Sequence, residues 1–310
     1  MKTLIVGYGL IGQASAATCS RDIDVHVLDR HPTDAVFPTQ TVDLLDRAAT
    51  REAVQAVRPD VIVYAAGELG TTVIRDPNGA LDRAVTAFKH LLIGMDAARS
   101  VRRLVLCSSL SVYDVTASSL PIREEDNAAL APRTPYGRIK LMLERLAFHA
   151  TPSLGVDCIA LRFTGVYAPD PRQGGGWMHR ALHEALAPLR QGAAHAELPT
   201  VLVGNEYLHI EDAARAVQLA VHDVGPSVAC NIGPGFRYDP IALQADVQHH
   251  FPGADVTVAA TAPPGGSHGL TPHLDTTYAR ARFAFTATHP TLRTGLTRPE
   301  PHSSSGGAIP

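Results

Sequence analysis

The feature that most restricts what this chain can fold into lies in its first twenty residues. A short apolar run at 3–6 ends in Gly7-Tyr8-Gly9-Leu10-Ile11-Gly12, and a small-residue stretch of helical length follows at 13–19. A strand that turns through G-x-G-x-x-G into a helix opens a βαβ unit suited to a dinucleotide. The first glycine permits the tight turn, the second lets backbone approach a pyrophosphate, and the third lets helix pack on strand. The helix then points its first amides, with Leu10 and Ile11 in that turn, at the negative charge. The next apolar run, 25–28, ends at Asp29. A carboxylate there accepts hydrogen bonds from the adenosine ribose hydroxyls and repels a 2′-phosphate, which favours NAD. Arg30 follows and can swing to a 2′-phosphate, so NADP stays open.

Further apolar runs at 61–65, 104–107 and 159–162 alternate with helix-like stretches at 51–57, 81–99 and 136–149. Short buried strands alternating with helices predict right-handed crossovers and an α/β fold, a Rossmann-type doubly wound parallel sheet. The dinucleotide-binding domain is expected to span residues 1–165, with 205–235 returning to it. Beyond 165 the pattern loosens, with proline and glycine clustered at 169–176, 233–235 and 263–266. A smaller mixed substrate-binding region is expected from 166–204 and 236–298. The tail, 299–310, is rich in Pro, Ser and Gly and reads as disordered.

Composition removes several classes of function. A chain of 310 residues can bury roughly three quarters of its unfolded surface without a disulfide or metal staple. A formal net charge of −3 offers no basic field for nucleic acid or anionic lipid. No stretch reaches the ~18 apolar residues of a membrane span, and the first apolar run is too brief for a signal peptide. Cys19, Cys107, Cys158 and Cys230 are scattered, form no C-x-x-C pair and read as reduced thiols. A soluble, cytoplasmic protein with a small-molecule substrate is expected, with no nucleic-acid or membrane partner.

Two segments carry the chemistry. Cys107-Ser108-Ser109-Leu110-Ser111-Val112-Tyr113 sits just past the fourth apolar run, and Pro135-Tyr136-Gly137-Arg138-Ile139-Lys140 opens a helix. Tyr136 and Lys140 are four apart and share one helix face. An ammonium beside a phenol favours the phenolate, which can exchange a proton with an alcohol or a carbonyl. A serine hydroxyl at the end of a neighbouring strand can orient the same oxygen.

These residues resemble the extended short-chain dehydrogenase/reductase superfamily, in its branch of NAD-dependent epimerases and dehydratases acting on nucleotide sugars. The resemblance runs from Met1 to about Leu296. Asp43-Leu44-Leu45-Asp46 resembles the acidic segment where Asp43 approaches the adenine and Leu44 packs beside it. Tyr64-Ala65-Ala66-Gly67 resembles the small-residue turn that passes the cofactor. Leu161-Arg162-Phe163-Thr164-Gly165-Val166-Tyr167 and His209-Ile210-Glu211-Asp212 resemble later landmarks. The resemblance implies Ser109, Tyr136 and Lys140 as the catalytic group, with Lys140 also binding the nicotinamide ribose. It further implies a homodimer through residues 81–99 and 136–149.

The chain departs from the family's pattern where a nucleotide-sugar diphosphate is gripped. Glycine stands at Gly165 in place of asparagine, and Asn205 stands in place of arginine, which removes a bidentate contact. Arg172 or Arg180 is a candidate to compensate. Ser109, Ser111, Glu68 and Trp177 complete the candidate substrate contacts, Trp177 by stacking on substrate at the edge of the glycine-rich 173–177 loop. His179 and His183 are four apart but lack a third ligand, so no metal is expected. Three functions follow: a redox-neutral epimerase or dehydratase, a net-redox dehydrogenase or ketoreductase on a non-nucleotide substrate, and a non-catalytic NAD-binding protein.

Overall fold

Each apolar run of the first half forms a buried strand. The computed structural model describes residues 1–33, 35–68, 70–114, 121–260 and 271–296. The tail reading at 299–310 lies outside the described residues. In chain order the strands are β1 (Lys2–Val6), β2 (Asp24–Asp29), β3 (Thr39–Thr41), β4 (Val61–Tyr64), β5 (Arg103–Ser109), β6 (Asp157–Phe163), β7 (Gly165–Tyr167), β8 (His195–Leu198), β9 (Tyr207–His209), β10 (Val228–Ile232) and β11 (Asp255–Val258). The helices are α1 (Leu10–Cys19), α2 (Arg47–Val57), α3 (Gly70–Arg75), α4 (Pro77–Ala98), α5 (Pro135–Ala150), α6 (Trp177–Arg190), α7 (Ile210–His222), α8 (Pro240–His250), α9 (Thr277–Phe283) and α10 (Leu292–Gly295).

Seven strands form one parallel sheet in the order β3-β2-β1-β4-β5-β6-β10. The chain winds outward from β1 through β2 to β3, then returns to β4 on the other side of β1. Ligands of open α/β sheets bind at such a reversal, beyond the carboxyl ends of the strands. Val6 pairs with both Leu28 and Tyr64, so the residues that follow β1, β2 and β4 emerge together at that edge. All four residues of β4 are buried, as expected of a sheet covered on both faces. The doubly wound parallel sheet expected from the alternation is therefore present. β3 was not foreseen, because Thr-Gln-Thr carries no apolar signal.

One face of the sheet packs on α1 and α7 through Ala16, Cys19, Ala213, Val217 and Ala220. The other packs on α2, α4 and α5 through Val54, Phe88, Leu91 and Leu143. α5 begins sharply because the Thr134 side chain accepts from the Gly137 N–H and Pro135 occupies the first turn. A third cluster gathers Tyr167, Met178, Leu182, Leu186, Tyr207, Tyr238 and Leu292 around two small parallel pairs, β7 with β9 and β8 with β11. At the amino end of β5, Arg103 and Arg282 both bind the Asp223 carboxylate, at 2.6 and 2.7 Å. The four cysteines are buried and free. Among the described residues no helix is long and apolar enough to cross a membrane.

Candidate active site

The glycine string forms a close-packed cradle at the reversal point. Gly7 has φ +94°, a conformation that side chains resist, and a Cβ there would stand 2.4 Å from the Ala66 backbone nitrogen. A Cβ on Gly12 would meet the Gly7 carbonyl oxygen at 1.9 Å. A Cβ on Gly9 would meet nothing within 4 Å, so open space lies where a pyrophosphate approaches. Gly9 caps α1 with no side-chain hydrogen bond, which leaves that end suited to an anion. Asp29 braces the cradle: its carboxylate accepts from the Tyr8 N–H at 2.6 Å and the His31 N–H at 2.7 Å. The donor set and the open face fit a bound NAD.

A cleft of about 410 Å³ opens above this edge. Gly7, Gly9, Asp29, Arg30, Asp43, Leu44, Ala65, Ala66, Gly67, Glu68, Tyr136 and Lys140 all line it. Leu10, Ile11 and Gly12 form the first turn of α1 rather than the cleft wall. Ser109 ends β5 half-buried, and its hydroxyl accepts from the Ser111 N–H at 3.1 Å. Neither Ser109 nor Ser111 lines the cleft.

Two contacts bring the serine segment and the Tyr-Lys helix together. The buried Lys140 ammonium donates to the Cys107 carbonyl at 2.7 Å. A Cβ on Gly137 would fall 2.0 Å from the Ser111 carbonyl oxygen, so the first turn of α5 lies directly on that backbone. Lys140 Nζ stands 5.6 Å from the centre of the Tyr136 ring and 3.8 Å from the position a Cβ would take on Gly67. One ammonium thus faces the ends of β4 and β5 and the phenol together.

Behind this group lies a buried polar network that sequence reasoning missed. Glu144, one turn beyond Lys140, takes the Arg162 guanidinium at 2.7 Å and a short hydrogen bond from the Ser108 hydroxyl. Arg162 also donates to the Tyr113 hydroxyl at 2.6 Å, which donates to Asn231 at 2.8 Å. Glu144 and Arg162 are 2% and 4% exposed, so each charge depends on the other. Burial pushes the Tyr113 phenol up to about 12. No spacing in the sequence marks this pair, because Glu144 lies on α5 and Arg162 on β6.

Arg83 is the second residue missed. It lines the cleft and binds Glu68 through two hydrogen bonds, at 2.6 and 3.0 Å, and Asp76 at 3.0 Å. Glu68 reaches the cleft already paired. Ala80, Ala84 and Ala87 line it from the same helix, a small-residue stripe at helical spacing that the sequence displays.

The candidate substrate residues fall elsewhere. The Arg172 side chain is 87% exposed and paired with Asp170, and Trp177 opens α6 at 42% exposure. Neither lines the cleft. At Gly165 a Cβ would lie 1.8 Å from the Met178 sulfur, so methionine fills that space. Asn205 is buried and donates to the Val201 carbonyl at 2.7 Å. His179 accepts from the Ala168 N–H, and His183 faces the Ala168 carbonyl at 2.8 Å and Arg190 at 2.7 Å. Burial brings His183 down to about 4. These histidines latch α6 to the segment after β7.

A doubly wound sheet with a glycine cradle at its reversal point and a Tyr-x-x-x-Lys helix beside the β5 end defines an enzyme of the extended short-chain dehydrogenase/reductase type. The model of the NAD dependent epimerase/dehydratase family matches residues 3–233, and the chain belongs to that family. It is 27% identical over 240 residues to a UDP-glucose 4-epimerase of Azospirillum brasilense, covering 66% of this chain and 67% of that one. It is 26% identical to one of Lactobacillus helveticus, covering 67% and 64%. The chain therefore matches about two thirds of the length of these curated relatives. The crystal structure of UDP-glucose 4-epimerase from Brucella ovis in complex with NAD superposes with a TM-score of 0.79, at 22% identity and 96% coverage of both chains.

Proposed function

We propose that this enzyme moves a hydride at a secondary alcohol or ketone carbon of a sugar-like substrate, such as a nucleotide sugar, in the redox-neutral manner of an epimerase or dehydratase. The observation that carries this reading is the position of Lys140, bonded to the Cys107 carbonyl beside Tyr136 in the cleft wall. In this reading Tyr136 is the general acid and base, and Ser109 donates a hydrogen bond to the reacting oxygen. Lys140 binds ribose hydroxyls. Bound NAD supplies the site that accepts and returns the hydride. The braced Asp29 carboxylate supports NAD over NADP. Residues 166–204 and 236–298 are assigned to substrate binding, with Arg172 and Trp177 as contacts, and α4 with α5 to a homodimer interface.

A second reading, a net-redox dehydrogenase on a non-nucleotide substrate, draws on Gly165 and Asn205. One is filled by Met178 and the other is turned to backbone, so neither offers a diphosphate a grip. The deciding experiment is to denature freshly purified protein and identify the released small molecules by mass spectrometry. Near-stoichiometric NAD supports the redox-neutral enzyme. An empty protein that binds added NAD or NADP reversibly supports the net-redox reading. An empty protein that binds neither overturns both.

A further inference from the structure

We propose that His209, Glu211 and His289 form a binding site for a divalent cation of the zinc class, outside the dinucleotide cleft. One ligand atom from each of the three side chains lies within 4.8 Å of the other two. His209 caps α7 at the end of β9, Glu211 stands in the first turn of α7, and His289 comes from the loop before α10. None of them lines the cleft. The sequence separation of His289 from the other two hides the group from any spacing rule.

The hydrogen bonds determine which nitrogens are available. His289 Nδ1 faces the Thr294 carbonyl at 2.9 Å. A carbonyl only accepts, so Nδ1 carries the hydrogen and the neutral ring keeps a lone pair on Nε2. That lone pair faces Glu211 Oε2 at 3.3 Å. A proton or a metal ion between the two closes such a pair. With metal–ligand bonds of about 2.0–2.1 Å, two ligand atoms of a tetrahedral zinc ion stand about 3.3 Å apart.

His209 Nδ1 accepts the Glu211 N–H over a long 3.3 Å, a weak bond that coordination at Nδ1 would replace. In His289 the second nitrogen is held by the Thr294 carbonyl. An imidazole whose second nitrogen is held by backbone is how metal-binding histidines are oriented. The two rings lie 4.2 Å apart between centres. Asp212 fixes the backbone that presents His289, accepting from the Thr288 N–H at 2.7 Å, the Thr288 hydroxyl and the His289 N–H at 2.9 Å. Two imidazole nitrogens and one carboxylate oxygen suit zinc better than magnesium or calcium. An ion held there clasps the loop before α10 to the start of α7.

The test is calorimetric titration of chelator-treated protein with zinc chloride, in wild type, His289→Ala and Glu211→Gln. One equivalent is expected to bind, at least tenfold more weakly in either variant. Zinc is also expected to raise the melting temperature of wild type but not of His289→Ala. Neither residue touches the cleft, so unchanged dinucleotide binding reports that the variants are folded. Absence of a stoichiometric equivalent overturns the site and leaves a proton closing the Glu211–His289 pair. Equal zinc affinity in all three proteins also overturns it and assigns binding to other histidines.

Discussion

The Lys140 ammonium donates to the Cys107 carbonyl oxygen at 2.7 Å, two residues before Ser109. This one bond couples the position of α5 to the end of β5. Removing it leaves a buried carbonyl without its donor, at a cost of about 1–3 kcal/mol. Lys140→Met is therefore expected to lower stability by that amount in urea denaturation and to weaken NAD binding in a fluorescence titration. Unchanged values for both would contradict the coupling.

The glycine cradle separates a folding role from a binding role. Gly7→Ala places a Cβ against Ala66 at a positive φ and is expected to cost about 3 kcal/mol or more. Gly9→Ala meets open space at φ −77° and is expected to change stability by less than about 0.5 kcal/mol. It nonetheless puts a methyl group where the pyrophosphate approaches, so NAD affinity is expected to fall at least tenfold. Thermal melts and NAD titrations of the two variants distinguish these roles.

The Glu144–Arg162 pair supports the site from behind. Glu144→Ala leaves a buried guanidinium uncompensated, and the expected loss is about 3–5 kcal/mol in urea denaturation. A loss below about 1 kcal/mol would mean that water or a neighbouring group replaces the carboxylate.

Acid stability follows from Asp223. Burial works to raise its carboxyl, but hydrogen bonds from Arg282, Arg103 and the Gly225 N–H outweigh burial and hold it at about 2. The folded value lies below the unfolded value of about 3.9, so the contribution is present above that pH and lost as pH falls through about 2. It amounts to about 2.5 kcal/mol. Asp223→Asn is expected to lower stability at neutral pH and to flatten the fall between about pH 4 and pH 2. Parallel pH profiles for variant and wild type would contradict this assignment.

The sheet was legible because its strands are short, fully buried and apolar, as in Val61-Ile62-Val63-Tyr64. The cradle was legible because Gly7 and Gly12 meet backbone that no Cβ can approach. β3 was not, since its three polar residues are held by register with β2 rather than by burial. Arg83 and the Glu144–Arg162 pair were not, because their partners come from separate elements and charge spacing along one helix does not reveal them. Arg172 and Trp177, singled out beside the glycine-rich 173–177 loop, do not line the dinucleotide cleft and lie in the region proposed to bind substrate.

The central claim is that Tyr136 exchanges the substrate proton in an NAD-dependent hydride transfer. The most direct test is turnover of Tyr136→Phe with NAD and a UDP-hexose, followed by product epimer analysis and absorbance of the reduced nicotinamide. The variant is expected to bind NAD as wild type does and to turn over about 10²–10⁴-fold more slowly. A Tyr136→Phe enzyme that keeps full turnover would contradict the account.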